Sequence, residues 1–329
     1  MKFNEVNIKM LSKLGQRGSI FGISALDPEN HRKDLIISTA DLAFLSGLER
    51  FSKKYPEKLI NVGIAEQNLL GVSAGMANEG KVVVATTYAT FITMRSCEQL
   101  RHYLGYMQSN VKIIGSGAGL VQGFSGNTHY TIEDISMTRC IPNLTVISPA
   151  DATEAVKAFE ASIKNDNPTY LRLTGGLNIP IVYKQDYEFV IGDPILILEG
   201  ENMAVLATGT MVGFALKAIE SIKEKYGLNI ALINIHTLKP VNENKLQEFL
   251  QKYTLLVSVE EHNILGGLGS MISEIITKYG INRKLIRMGI EDSFEHCGDY
   301  EYNLEKHRLS SEKLCERFWS ILNSGNDEI

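Results

Sequence analysis

The segment NVGIAEQNLLGVSAGMANEG (61–80) sets three polar side chains, Glu66, Gln67 and Asn68, near the head of an otherwise small and apolar run. Gly71 and Gly75 are four apart and share one helical face, so a neighbouring backbone can approach closely. A lone glutamate in the first turn of a helix is favoured by the helix dipole and is ordinarily solvated. The flanking residues here predict burial instead, and a buried carboxyl needs a partner or a perturbed proton affinity. A carboxyl that shares a proton with a bound heterocycle meets that need.

A second segment, TTYATFITMRSCEQLRHYL (86–104), brings Tyr88 and Phe91 three residues apart just past a strand end. Ligands in open α/β sheets gather outside the carboxyl ends of strands. Two aromatics there could stack on a flat ring, or be ordinary core residues. Arg95 lies three residues before Glu98, so a surface ion pair is the simple reading of that arginine. A third segment opens with Gly115, Gly117 and Gly119 and continues through Gly123 and Gly126 to Thr128 and His129. The glycines indicate tight turns near a ligand or another chain. A histidine on such a loop is a catalytic candidate, with a structural hydrogen-bonder as the alternative. The Gly-rich VSVEEHNILGGLGS (257–270) could bind an anion at a helix N-terminus or pack at a subunit interface.

These side chains need a scaffold, and the pattern supplies one. Short β-branched runs at 34–39, 81–87, 111–115, 143–148 and 168–173 alternate with helical stretches at 63–79, 92–108 and 150–164. The runs do not alternate apolar with polar, as befits strands buried on both faces of a parallel sheet. A second series has strands at 203–208, 229–235, 254–260 and 284–290 and helices near 211–226, 242–252 and 267–279. The expected fold is α/β: two doubly wound, mostly parallel-sheet domains, 1–185 and 186–329. The 329 residues carry 33 Lys and Arg against 38 Asp and Glu, a net charge of −5, which argues against a nucleic-acid binder. No apolar run reaches the ~20 residues of a membrane span, and no secretory signal is evident. The four cysteines are widely spaced, so a reducing cytoplasm is the expected location.

Together the segments resemble the C-terminal half of transketolases, from about residue 34 to about 290. The resemblance rests on NVGIAEQN, YATFITMRSCEQLR, GNTHYTIEDISMTRCIPNLTVISPAD, PTYLRL, VLATGTMV, NIHTLKPV and VEEHNILGGLGS, in that order. It implies a pyrimidine-binding domain for thiamine diphosphate followed by a transketolase C-terminal domain. Glu66 then matches the glutamate that hydrogen-bonds the aminopyrimidine. Tyr88 and Phe91 match aromatics packed on that ring. Asp41 matches an acidic residue near the cofactor, Arg95 falls beside it, and His129 matches a histidine facing the substrate. A carboxyl shared with a ring nitrogen favours the imino form of the cofactor's exocyclic amine, and the cofactor serves as electron sink.

The resemblance also marks departures. A complete transketolase carries a Gly-Asp-Gly signature for magnesium and diphosphate, and none occurs in this sequence. A split enzyme is therefore expected, in which an N-terminal partner subunit holds Mg2+ and the diphosphate, in an α2β2 assembly. Ordinary transketolases usually carry histidine, aspartate and arginine at the positions of Gly117, Ser125 and Gly175. All three contact substrate, so a non-standard sugar, branched or nucleotide-linked, is expected; the alternative is that the partner subunit, or Arg172, supplies the missing positive charge. Three alternatives stay open: a deoxyxylulose-phosphate synthase half, a 2-oxo acid dehydrogenase β subunit, or a non-catalytic subunit that keeps the scaffold.

Overall fold

The structure is a computed structural model that describes residues 3–27, 30, 35–174, 179–294 and 296–324. Its first part contains α1 (Glu5–Gly22), β1 (Leu35–Thr39), α2 (Glu49–Lys54), β2 (Leu59–Asn61), α3 (Glu66–Asn78), β3 (Val82–Tyr88), α4 (Cys97–Gln99), β4 (Val111–Ala118), α5 (Asp134–Arg139), β5 (Thr145–Ile147), α6 (Ala152–Lys164) and β6 (Thr169–Thr174). The second contains β7 (Ile195–Leu198), β8 (Met203–Ala207), α7 (Met211–Tyr226), β9 (Ala231–Asn234), β10 (Thr237–Lys239), α8 (Glu243–Lys252), β11 (Leu255–Asn263), α9 (Leu268–Lys278), β12 (Lys284–Ile290), α10 (Tyr300–Lys306) and α11 (Ser311–Ser324).

The strands form two sheets, ordered β10-β5-β6-β4-β3-β1-β2 and β12-β11-β8-β9-β7. Among the described strands of the two sheets, only the β10–β5 and β7–β9 pairings are antiparallel. The mostly parallel α/β architecture is thus as the apolar runs predict. β4, β6 and β8 are buried along their whole lengths, which explains why their sequences lack alternation.

Several elements escape the sequence pattern. α1 packs on α6 through Ile8, Leu11, Ala152 and Val156. Its start is a capping box: Asn4 Oδ1 accepts from the N–H groups of Val6 and Asn7, and Asn7 Oδ1 accepts from the Asn4 N–H. The usual Ser/Thr and Glu/Gln signature is here written with two asparagines. β10 lies beyond residue 185 yet forms the edge of the first sheet, with Thr237 opposite Ile147. A three-residue strand ahead of Pro240 gives no readable period.

The two sheets share one apolar core. A single cluster runs from Leu69, Val83 and Ile113 through Ile135 and Tyr170 to Leu206, Ile233 and Met271. Buried polar groups tie the same junction. Glu154 on α6 accepts from the Tyr183 and Tyr187 hydroxyls and from Asn234 Nδ2 of β9. Asp151 caps α6 and also accepts the Val182 and Tyr183 N–H groups, and burial pushes its carboxyl up to about 6.

His236 sits between β9 and β10, tilted on Phe189 with ring centroids 4.4 Å apart, and its carbonyl accepts the Ser148 N–H at 2.7 Å. Burial lowers its imidazole from 6.5 to about 4. Between those values the unfolded chain binds a proton at this ring and the folded chain does not. The stability that neutral His236 contributes is therefore full above pH 6.5 and is lost as pH falls through the window. Urea denaturation across pH 6.5 to 4 should show a shallower acid slope for His236→Gln than for wild type. Parallel profiles would show that the ring does not carry this dependence.

Candidate active site at the carboxyl edge of the first sheet

The ends of β1 to β4 converge on one edge. Asp41, past β1, is exposed and takes a positive φ of 57°. Asn61 at the end of β2 holds it: its Oδ1 accepts the Asp41 N–H at 3.0 Å and its Nδ2 donates to Asp41 Oδ1 at 3.2 Å. Five residues later Glu66 opens α3 with only 2% of its side chain exposed. Its Oε2 accepts from Arg95 Nη1 at 2.7 Å, its one partner among the described residues.

Tyr88 ends β3, and Phe91 begins a helical stretch that departs from the regular helix expected over 92–108. Two π-helical segments, Phe91–Arg95 and Leu100–Tyr106, flank the short α4. The cause is local. The Arg95 carbonyl accepts from Gln67 Nε2 at 3.1 Å, and Thr93 Oγ1 bonds back to the Ala89 carbonyl at 2.7 Å. Side-chain donors thus compete with the helical ladder, and such widened turns recur at functional sites.

The resulting turn aims Arg95 back across Phe91, with its guanidinium carbon 4.2 Å from the ring centroid. Glu98, the partner expected from spacing, instead accepts from its neighbour Gln99. Phe91 packs edge-on against Tyr88 at 6.0 Å and against His129 at 5.4 Å between centroids. His129 Nδ1 lies 2.9 Å from the Thr128 hydroxyl, which leaves Nε2 for another partner. Glu66, Tyr88, Phe91, Arg95 and His129 therefore form one constellation, with Asp41 on the loop beyond the neighbouring strand end.

The slot has a telling occupant. A planar cation rich in N–H groups lies on an aromatic face and donates to a buried carboxylate. An aminopyrimidine is likewise flat and carries N–H donors and a ring nitrogen. The residues present thus fit the pyrimidine end of thiamine diphosphate: a buried carboxyl able to share a proton with a ring nitrogen, and aromatic rings able to flank a flat ring. Among the described residues no group of three or more His, Cys, Asp or Glu is placed to hold a metal ion. No described helix is long and apolar enough to cross a membrane.

The expected substrate contacts fare differently. Gly117 is buried with φ 68°, and a Cβ there would fall 2.9 Å from the Gln122 side chain. Ser125 closes a turn of the His129 loop through its N–H to the Gln122 carbonyl. Arg172 requires correction, because it is sealed away from any ligand at 1% exposure. Its Nε donates to Asp134 at 2.7 Å and its Nη2 to the Glu261 carbonyl at 2.9 Å, so it has no free face for a sugar phosphate. Gly175 lies outside the described residues.

The Gly-rich turn before α9 also reads differently in three dimensions. Both oxygens of Glu260 accept N–H groups at the helix start, from Leu268 at 2.6 Å and Gly269 at 2.9 Å. The chain's own carboxylate fills the place proposed for an external anion. The VEE pair in the sequence was the only signal for this. Asp134, Glu261 and Asn263, which join the two domains, had no periodic signature at all.

Comparison with known proteins identifies both parts of the chain. Residues 28–178 match the transketolase pyrimidine binding domain, and residues 195–313 match the transketolase C-terminal domain. A Methanocaldococcus jannaschii protein described as a transketolase C-terminal section is 33% identical, over 90% of this chain and 93% of its own length. A 6-deoxy-6-sulfo-D-fructose transketolase subunit of Clostridium sp. is 34% identical, over 85% of this chain and 86% of its own. A solved structure described as a split gene transketolase, an inactive β4 tetramer, superposes with a TM-score of 0.81 at 29% identity, over 92% and 96% of the two chains. A two-sheet α/β chain with a carboxylate and aromatic slot at one sheet edge defines the class, and this chain belongs to the transketolase family.

The two arginine–carboxylate pairs differ in access, since Arg95 is 46% exposed and Arg172 1%. Water can replace the first guanidinium and cannot replace the second. In urea denaturation Arg95→Ala should cost no more than about 1 kcal/mol. Arg172→Ala, which strands the Asp134 charge, should cost roughly 3–5 kcal/mol. Equal losses would show that the Glu66 slot is as closed as the core.

Proposed function

We propose that this chain is the C-terminal subunit of a split, thiamine diphosphate-dependent transketolase that transfers a two-carbon ketol unit between sugars. The observation that carries the reading is the buried Glu66 carboxylate facing a planar N–H donor on the Phe91 ring. The similarity to transketolase subunits and sections of nearly the same length supports a split enzyme. A separate N-terminal subunit then supplies the diphosphate and Mg2+ site, most simply in an α2β2 assembly in the cytoplasm. Residues 1–185 form the pyrimidine-binding domain and 186–329 the C-terminal domain.

Exposed apolar side chains on the strand-end loops support a companion surface: Phe44 is 73%, Ile64 77% and Phe124 68% exposed. They follow β1, precede Glu66 and accompany His129, respectively, so a partner seated on them would roof the slot.

The geometry supports the following roles. When bound, thiamine diphosphate supplies the carbon nucleophile and the electron sink. Glu66, itself buried, would share a proton with the ring nitrogen. Arg95 keeps that carboxylate paired from the face of Phe91, the place a bound pyrimidine ring would take. Tyr88 fixes the tilt of Phe91, and Asn61 fixes Asp41 near the cofactor. His129, with Nδ1 engaged by Thr128, presents Nε2 to a substrate oxygen. Among the described residues, Gly117, Ser125 and the sealed Arg172 offer no cation for a sugar phosphate at the positions where ordinary transketolases are expected to hold substrate. That, with the sulfonated sugar named for the Clostridium relative, supports a non-standard sugar as substrate.

Mixing experiments test the reading. The isolated chain should show no ketol transfer, and addition of the N-terminal subunit should restore it. Glu66→Gln should then lose at least ~10²-fold in rate while assembling normally. An active isolated chain, or near-normal turnover of Glu66→Gln, would contradict the proposal. Pyruvate consumption with carbon dioxide release would assign the chain to a deoxyxylulose-phosphate synthase or 2-oxo acid dehydrogenase type instead.

A further inference from the structure

The segment that carries His129 between β4 and α5 is held from outside its own domain. Its neck is an isolated antiparallel bridge: Gly119 N–H donates to the Thr131 carbonyl at 2.8 Å, and Thr131 N–H returns to the Gly119 carbonyl at 3.1 Å. Next to that bridge both arms are gripped by the end of β11. Leu120 N–H donates to Glu261 Oε1 at 2.6 Å, and Asn263 N–H donates to the Ile132 carbonyl at 2.7 Å. Glu261 acts through its carboxylate and Asn263 through its main chain, at the end of β11 where the pairing with β12 shifts register.

Glu261 is itself a fixed post. Its Oε2 accepts the Thr210 hydroxyl at 2.9 Å and the Tyr300 hydroxyl at 2.7 Å, while its carbonyl accepts Arg172 Nη2 at 2.9 Å. It is 2% exposed. The fit allows no side chain opposite: a Cβ on Gly119 would fall 2.2 Å from Glu261 Oε1. Farther along the loop Gly298 N–H donates to the Gly123 carbonyl at 3.2 Å, and a Cβ on Gly123 would fall 2.0 Å from Asn303 Nδ2. The second domain thus holds the loop at its neck and again near its tip, while the His129 ring rests on Phe91 in the first.

We infer that Glu261 is a positioning residue, which places the His129 imidazole over the slot by anchoring the loop through the Leu120 N–H. The C-terminal domain then governs catalysis without lending a side chain to the pyrimidine slot. The inference rests on the reading of His129 as the substrate-facing group. A purely structural role for Glu261 would lower stability without distinguishing His129 from any other residue.

A double-mutant cycle in the enzyme assembled with its N-terminal subunit separates the two. Glu261→Ala should lower kcat/KM for the ketose donor by about tenfold or more, because small misplacements at a site are costly. Glu261→Gln, whose amide oxygen can still accept the Leu120 N–H, should stay within about threefold of wild type. In a His129→Ala background Glu261→Ala should cost less than about twofold further. On the full chain alone, amide exchange of residues 120–132 should accelerate in Glu261→Ala while β8 is unchanged. Should Glu261→Ala fail to fold, Tyr300→Phe, which removes one tie to Glu261, takes its place and should act in the same direction by about threefold. Multiplicative losses in the cycle, or unchanged loop exchange, would overturn the inference. Absence of ketol transfer in the wild-type assembly would count against the proposed function instead, with the exchange measurement still deciding the anchor.

Discussion

A carboxylate taken out of water at the carboxyl edge of a parallel sheet has to be answered by a donor. At Glu66 the answer is a guanidinium lying on an aromatic ring. The helix after β3 is opened into π-helical turns, and its Arg95 reaches back to α3 rather than to Glu98. Gln67, adjacent to Glu66, takes the Arg95 carbonyl and so fixes the turn that delivers the guanidinium. Two neighbouring residues on one helix thus shape both the charge and its partner.

The rest of the molecule keeps that edge in register. The apolar core is continuous across both sheets, so the domains are packed as one unit. Polar burial is concentrated at the same junction, where each carboxylate is met by specific donors: Asp134 by Arg172 and Tyr170, Glu260 by the start of α9, Glu261 by Leu120, Thr210 and Tyr300. Burial pushes Glu260 up to about 7 and raises Glu261, which marks the cost of holding such groups between domains. The second domain has a mechanical part in the site, because the loop over the slot is fastened to it.

The sequence was informative where side-chain period and burial coincide. Strands such as VKIIG and MAVLA lie inside both sheets, and their unbroken apolar runs said so. Glu66, Tyr88, Phe91 and His129 were legible because strand ends and glycine turns confine where they can point. What was not legible depends on long-range partners. Arg172 reads like an available cation, yet Asp134, 38 residues away, removes it from use. β10 takes its identity from β5 rather than from its own residues. The π-helical turns depend on a glutamine from another helix, and no local period encodes that.

The central claim is that Glu66 exchanges its own arginine for a heterocycle. The most direct measurement is a structure of this chain assembled with its N-terminal subunit and thiamine diphosphate. The account predicts the Glu66 carboxylate within hydrogen-bond reach of an aminopyrimidine nitrogen, with the ring against Phe91 and the Arg95 guanidinium moved off it. A cofactor bound elsewhere, with Arg95 still stacked on Phe91 and bonded to Glu66, would contradict it.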